Sequence, residues 1–400
     1  MLDDLRIISF CHFLQGPACT QYLADMGADV VKVEPPSGAF ERHWAGAGKA
    51  SVGGVSAFFL CANRNKRSLA IDLKHPDSRE IIFRLVDRSH VVVENFRPGV
   101  IDRLGFGYDD IASRKPNIIY ASATGFGASG PLRDRPGQDL LVQAMSGLTA
   151  ASGNAERRPT PAGCAIVDQH GAALLAMGIV AAYVKLLRTG KGTRIETNLL
   201  SAGIDLQTEP LTLYFTRRPG REIFRREEEL ATWYHEAPYG VYRLADGFVA
   251  VSLNDPVKLA AALDSARLTE LQTLDTYEER DRYAHALAGE LRGRRFADLT
   301  GPFNAHGIWY ARVDDYEDVR RNPQVVHNEA FREVRIGDGT ATLVNHPLRY
   351  DGRTPGFGRF ALRVGEHSRE ILAHLDYAQS EIDGLLERGV VVDSGKTLNP

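Results

Sequence analysis

The first half of the chain alternates short apolar runs with segments of helical period. LRIISF (residues 5–10) is a continuous apolar run of strand length. PACTQYLADMG follows, a predicted helix with Pro17 near its start and Gly27 just past its end. DVVKVE (29–34), SLAIDLK (68–74), HVVVENF (90–96) and NIIYASATG (117–125) repeat the strand pattern, with a helix predicted over about 76–88. Strand, helix, strand in this order predicts a largely parallel sheet covered by helices. Ligands of such sheets bind beyond the C-terminal ends of the strands. Those ends read SFCHFLQGPACT, VEPPSG, ENFRPG and TGFGASGP. Between the second and third strands lies a long stretch, 35–65, rich in Gly and Ala. Its length in a compact domain predicts a functional or docked loop.

Two helices are predicted after the fifth strand, over 138–151 and 168–189. TRIETNLL (193–200) reads as a further strand or the start of a helix. The composition shifts at about residue 217, where RRPGREIFRREEEL is highly charged and predicts a surface connection. GVYRLADGFVAVSL (240–253) then reads as a hairpin turning at Ala245-Asp246-Gly247. Helical patterns follow at 256–264 and 277–294, then strand-like TATLVNHPLR and a helix in HSREILAHLD. The pattern predicts an α/β protein. A large domain spans 1–216, a smaller α+β domain spans 217–333, and the chain returns to the large domain over 334–400.

The 48 basic and 51 acidic residues leave a net charge of -3, so no global charge attracts nucleic acid or an anionic membrane. The cysteines, Cys11, Cys19, Cys61 and Cys164, form no CxxC pair and read as thiols of a cytoplasmic protein. The N-terminus carries acidic residues where a signal peptide is basic. The longest apolar stretch, GAALLAMGIVAAYV (171–184), is shorter than the roughly 20 residues of a membrane span and predicts a buried helix. A soluble, cytoplasmic protein is expected.

Several motifs carry candidate chemistry. GFGASG (125–130) fits the dinucleotide pattern GxGxxG, but Pro131 and Pro136 follow where a helix should open, so a turn-forming loop is predicted instead. In ENFRPG (94–99), Asn95 and Arg97 stand at a strand end, with Arg103 close by. An arginine there suits a phosphate, and a solvated strand exit reads the same way. Asp168 stands where an apolar run gives way to a long helix ending near Gly190. That is an N-cap position, for which Asp is favoured on structural grounds alone. The same place favours negative charge, and an ionised carboxylate there can attack a thioester. Gly171, Ala172 and Ala173 leave room for a bulky partner, and His170 reads as a packing or hydrogen-bonding residue. RPGQD (135–139) reads as a turn before a helix that Asp139 caps. Neither HExxH nor GxSxG is present.

Six fragments in order, GPACTQYLADMGADVVKVE, NKRSLAIDLK, VVENFRPGVIDRLG, TGFGASGPLRDRPGQD, the Asp168 segment through TGKG, and TPG followed by GEHSREIL, give the chain its likeness. Along essentially its whole length it resembles the family III CoA-transferases. The resemblance implies a Rossmann-like large domain with a smaller domain inserted, and an interlocked-ring homodimer. It implies Asp168 as covalent nucleophile. It implies coenzyme A contacts at Leu14 and Gln15, at Ile71, Asp72, Leu73 and Lys74, at Asn95, Phe96 and Arg97, at Arg103, and at Arg135, Gly137 and Gln138. Ile71 and Phe96 would hold the adenine, and Arg97, Arg103 and Lys74 the phosphates. Pro35 stands where some relatives carry Arg, and Gln15 where most carry Ala.

The implied reaction moves CoA from an acyl-CoA to a free carboxylic acid through an anhydride and an aspartyl-CoA thioester. It needs no metal and no permanently bound cofactor. Acyl-CoA racemases share the scaffold, but their catalytic His falls on Gln138, which cannot serve as a base. A CoA-binding protein without catalysis is a third reading, opposed by the presence of Asp168. Succinate is a common donor acid in such families, and Arg42, His43 and Trp44 are candidates for the acyl pocket that read equally as packing residues.

Overall fold

The computed structural model describes residues 1–44, 46, 50–153 and 158–394. Its chain divides into two compact units. One comprises Met1–Val142, Ala165–Leu206 and Pro323–Pro400, and the other Gln143–Cys164 and Gln207–Asn322. The segment Gln143–Cys164, expected in the large domain, belongs to the second unit.

The first unit is built on a seven-stranded sheet. Its strands are β1 (Arg6–Phe10), β2 (Asp29–Glu34), β3 (Lys66–Ile71), β4 (Val91–Glu94), β5 (Ile119–Thr124), β6 (Thr193–Asn198) and β7 (Val391–Val392), in the order β7-β3-β2-β1-β4-β5-β6. All neighbours run parallel except β7, which pairs antiparallel with Ala70 and Ile71. The unbroken apolar runs have a direct cause. Ile8, Val31, Val33 and Val92 enter one core, while Ile7, Val30, Val91 and Val93 enter the other, so both faces of the sheet are covered. Helix α1 (Gln15–Asp25) and the long α4 (Ile166–Thr189) cover the second face, and α2 (Ser78–Asp87) covers the first. The strand order reverses at β1, between β2 and β4, and that reversal opens the crevice where ligands of this architecture bind.

Three local readings change. Strand β3 ends at Ile71 and not at Lys74, because the Asp72 carboxylate accepts the Lys74 amide N–H at 3.0 Å and turns the chain. The stretch 35–65 is largely ordered. It holds a short helix (Phe40–His43), a tight hairpin (Ser51–Val52 with Val55–Ser56) and a helical turn (Ala57–Leu60). Buried ion pairs fasten it: Lys32–Glu41 at 2.8 Å, Arg42–Glu34 at 2.7 Å and Arg64–Asp25 at 2.6 Å. Helix α4 runs 24 residues, longer than the apolar stretch suggested, and is long and apolar enough to cross a membrane by length and composition. Its Val167, Leu175, Ile179 and Leu186 lie in the core beside α1, while Met177 and Leu187 are 65% and 68% exposed.

The second unit carries an antiparallel sheet in the order Tyr310–Arg312, Gly247–Val251, Gly240–Leu244. Leu244 pairs with Gly247, which leaves Ala245 and Asp246 as the two-residue turn.

Candidate active site

The crevice is lined by the chain that leaves β1 and β4. Asn95 clips the two exits together: its Oδ1 accepts the His12 N–H at 2.9 Å and its Nδ2 donates to the His12 carbonyl at 2.8 Å. With both ends of its amide used this way, Asn95 shapes the crevice floor. Gly16 is required in the same turn, because a Cβ there would stand 2.6 Å from Cys11 Sγ. Phe96, half-buried, meets the His12 ring at 5.2 Å, and Phe13, Phe40, Trp44 and Phe58 continue a chain of ring contacts. Glu94 closes β4 in a buried position, accepting the Phe96 N–H at 2.9 Å; burial pushes its carboxyl up to about 7.

Cations gather at one end of the crevice. Gly99 adopts φ +80°, and a Cβ there would lie 3.3 Å from Arg103 Nη1 and 3.7 Å from Arg133 Nη2. Arg97, Arg103, Arg133 and Arg135 are exposed, and none is paired with a carboxylate among the described residues. Lys74 is exposed as well. Most other arginines of this unit are spent on carboxylates, as at Arg64, Arg67, Arg84 and Arg114. Of the two residues expected to hold adenine, Ile71 is wholly enclosed in the core, because β7 and the helices cover the end of β3; Phe96 remains available. Leu73 packs on the same core, and Asp72 holds its turn.

The other end holds Asp168, and two sequence readings are corrected there. Helix α4 starts at Ile166 with Ala165 at its N-cap, so Asp168 is the third helical residue. The cap comes from elsewhere. Asp139, 7% exposed and first in helix α3 (Asp139–Met145), accepts the N–H groups of Val167 at 2.8 Å and Asp168 at 3.0 Å. Asp139 therefore caps α4, and as the first residue of α3 it does not stand at that helix's own N-cap position. The loop before it is brought in by contact of two glycine backbones: a Cβ on Gly125 would lie 2.5 Å from Gly137 Cα. GFGASG forms turns and opens no helix. Gln138, like Gly137, is exposed.

The Asp168 side chain is half-buried, and its carboxylate accepts no hydrogen bond among the described residues. Burial pushes its carboxyl up to about 7, with the Asp139 charge adding to the shift. The expectation of a fully ionised group at this helix end is thereby corrected: near neutral pH it is poised between acid and base. One turn along, Gly171 faces Gln15. That side chain is 4% exposed, and a Cβ on Gly171 would stand 2.4 Å from Gln15 Nε2. Gln15 Nε2 is buried without a hydrogen-bond partner among the described residues. His170 Nε2 is bonded to Asp205 at 2.7 Å, and Gln169 Oε1 accepts the Tyr22 hydroxyl at 3.2 Å.

The family model described as CoA-transferase family III matches residues 2–368. The chain belongs to that family. This CoA-transferase is 32% identical over 98% of its length to the succinyl-CoA:glutarate CoA-transferase of Mus musculus, covering 90% of that protein. It is 29% identical over 93% of its length to a probable fatty acyl-CoA transferase of Mycobacterium tuberculosis, covering 97% of it. Among solved structures, a CAIB/BAIF family protein from Brucella suis superposes with a TM-score of 0.82 at 27% identity, over 94% of this chain and 99% of that one.

For the transferase, two of the acyl-pocket candidates change. Arg42 is buried, bonded to both oxygens of Glu34 and to the carbonyls of Ala361 and Leu362, with Phe59 against its guanidinium. It fastens the 35–65 segment and offers nothing to a substrate. His43 is bonded to the Ser37 carbonyl at 2.7 Å, while Trp44 is exposed. Sequence reasoning missed Arg133. Its only sequence signal is a basic residue in a Gly- and Pro-rich loop, and its place beside Gly99 depends on the left-handed turn there.

Proposed function

We propose that Asp168 is the covalent nucleophile of this CoA-transferase and that coenzyme A lies along the crevice from the arginine cluster to α4. The reading rests on one observation: among the described residues the Asp168 carboxylate accepts no hydrogen bond, while Asp139 is spent on the helix end. A buried carboxylate without hydrogen bonds is a stronger nucleophile than a solvated one, because nothing must be stripped from it before attack.

The reaction proceeds in balanced steps. A carboxylate oxygen of Asp168 attacks the thioester carbonyl, the tetrahedral intermediate collapses, and the C–S bond breaks with its electron pair leaving on the CoA thiolate. The thiolate attacks the Asp168 carbonyl carbon of the anhydride and expels the donor acid as its carboxylate. The acceptor carboxylate attacks the aspartyl-CoA thioester and expels the thiolate, which leaves a second anhydride; the thiolate then attacks the acceptor carbonyl carbon of that anhydride, forms the acceptor CoA ester and releases the Asp168 carboxylate. Every bond to CoA that is lost is regained, so no nucleotide hydrolysis drives the cycle. Arg97, Arg103, Arg133, Arg135 and Lys74 supply the charge for the phosphates of CoA. Phe96 supplies an apolar face for its base. Proton abstraction alpha to the thioester, the racemase alternative, works with a His and an Asp, and Gln138 at the place of that His has no titratable group.

The working enzyme is read as a cytoplasmic homodimer whose chains interlock. The exposed apolar positions of α4, Met177 and Leu187, with Leu140 and Leu141 of α3, support burial against a second copy. No resident cofactor is invoked. The deciding experiment is hydroxylamine trapping during turnover. Modification is expected at Asp168; a trapped acyl group on another residue, or full transfer by Asp168→Ala, would sink the reading.

A further inference from the structure

Gln15 and Asp168 form an incomplete pair. The Gln15 amide nitrogen is buried and has no acceptor among the described residues. The Asp168 carboxylate, one helical turn from the glycine that this amide rests on, has no donor among the described residues. Residues three apart on a helix share a face, so Asp168 and Gly171 present neighbouring surfaces to whatever α1 brings up. A buried amide N–H left unbonded costs about 1–3 kcal/mol, and a chain that keeps one has a use for it elsewhere than in the resting fold.

We propose that Gln15 is a catalytic residue of the transfer reaction, its Nε2–H donating to the Asp168 acyl oxygen in the tetrahedral intermediates through which CoA enters and leaves the aspartyl thioester. The inference rests on Asp168 being the nucleophile. It adds the donor that this nucleophile lacks at rest.

The chemistry decides why an amide suits this place. When thiolate attacks the aspartyl anhydride, the carbonyl π electrons move onto the Asp168 oxygen, which becomes an oxyanion. The negative charge returns to the C=O bond on collapse, as the donor carboxylate departs. When the acceptor carboxylate attacks the thioester, the same oxygen is charged again. A donor fixed beside it is strengthened only while that charge exists, the condition for raising a rate and not merely an affinity. A cation in the same place would pair with the resting carboxylate and blunt its attack; a neutral amide does not. Gly171 is the structural requirement. Any side chain there would occupy the space of Gln15 Nε2, since a Cβ alone would stand 2.4 Å from it.

Three variants of the full-length enzyme separate this role from a packing role. Gln15→Leu removes the unbonded amide and keeps the volume. If Gln15 is a donor, its kcat falls about 100- to 1,000-fold, the dissociation constant for free CoA changes less than threefold, and thermal stability is equal or higher. A packing role predicts the reverse, with stability lost and kcat kept. Gly171→Ala is favourable for a helix interior and should fold, yet it displaces the amide and lowers kcat in the same way. The double variant is no worse than Gln15→Leu alone, because both act on one contact. Wild-type kcat in Gln15→Leu, or a loss confined to KM, overturns the inference while leaving the nucleophile untouched. A fully active Asp168→Ala overturns both, and the two failures are told apart by that variant.

Discussion

The two ends of the crevice solve different problems with different materials. Around Gly99 the chain collects exposed guanidinium groups and leaves them without carboxylates among the described residues. Around Asp168 it collects a half-buried carboxylate, a buried amide and small residues, and the neighbouring acid is consumed by a helix end. Binding phosphates needs charge that is free and mobile. Acyl transfer needs a nucleophile that is neither neutralised by a cation nor solvated. Placing Arg103 beside Asp168 would depress the carboxyl and stabilise its resting state, which raises the barrier to attack.

Removal of the nucleophile tests that division most severely. Asp168→Ala is expected to lower kcat by at least about 10,000-fold, in the range seen when a nucleophile is deleted, while the calorimetric affinity for CoA stays within threefold of wild type. Affinity lost along with activity would mean that the two ends are not separate. At the other end, Arg103→Ala and Arg133→Ala each remove one charge-assisted contact of about 1.5–3 kcal/mol. KM for acyl-CoA should rise roughly 10- to 100-fold with kcat kept, and the salt dependence of binding should weaken. A change in kcat without one in KM would show that these arginines do not hold the phosphates.

How much of this was legible beforehand differs between the ends for a physical reason. The parallel sheet could be read from β1, β2, β4 and β5, whose residues alternate between two cores and so stay apolar throughout. Asp168, Asn95, Arg97 and Arg103 were picked out as candidates because each stands where a periodic run stops, and their proposed roles came from the family resemblance. Arg133 and the service of Asp139 to α4 were not, because both are non-local. Asp139 bonds amides 28 and 29 residues further along, and no spacing rule links a residue at the start of one helix to the amides of another. Of the two readings open for Arg42, acyl pocket or packing, the structure selects packing, again through non-local partners. A polar residue in a Gly-rich stretch looks available until Glu34 and the carbonyls of Ala361 and Leu362 close around it.

The acid limb of the pH profile sharpens the contrast further. With the Asp168 carboxyl near 7, kcat should fall about tenfold per pH unit below that value as the nucleophile is protonated. Glu94 titrates in the same region, so Glu94→Gln serves as control and should retain the limb. Asp139→Asn keeps an oxygen to accept the α4 amides but removes the charge that helps hold Asp168 up. Its acid limb should move to lower pH. A limb unmoved in Asp139→Asn would show that the Asp139 charge is screened from the nucleophile.

The smallest effect concerns stability, and its sign follows from the same shift. The Asp168 carboxyl is raised on folding, so between its ordinary value of 3.8 and about 7 the folded chain holds a proton that the unfolded chain has lost. Stability contributed by the protonated group is therefore present at low pH and is lost as pH rises through that window. Asp168→Asn cannot lose a proton and escapes this loss. At pH 8 it should melt above wild type, by about 2–4 °C for each kcal/mol recovered, and at pH 4 the two should melt together. An Asn variant no more stable at pH 8 would mean that the carboxylate is comfortable when ionised. The crevice would then contain a donor for it in the resting enzyme, and the contrast between the two ends would be weaker than the geometry implies.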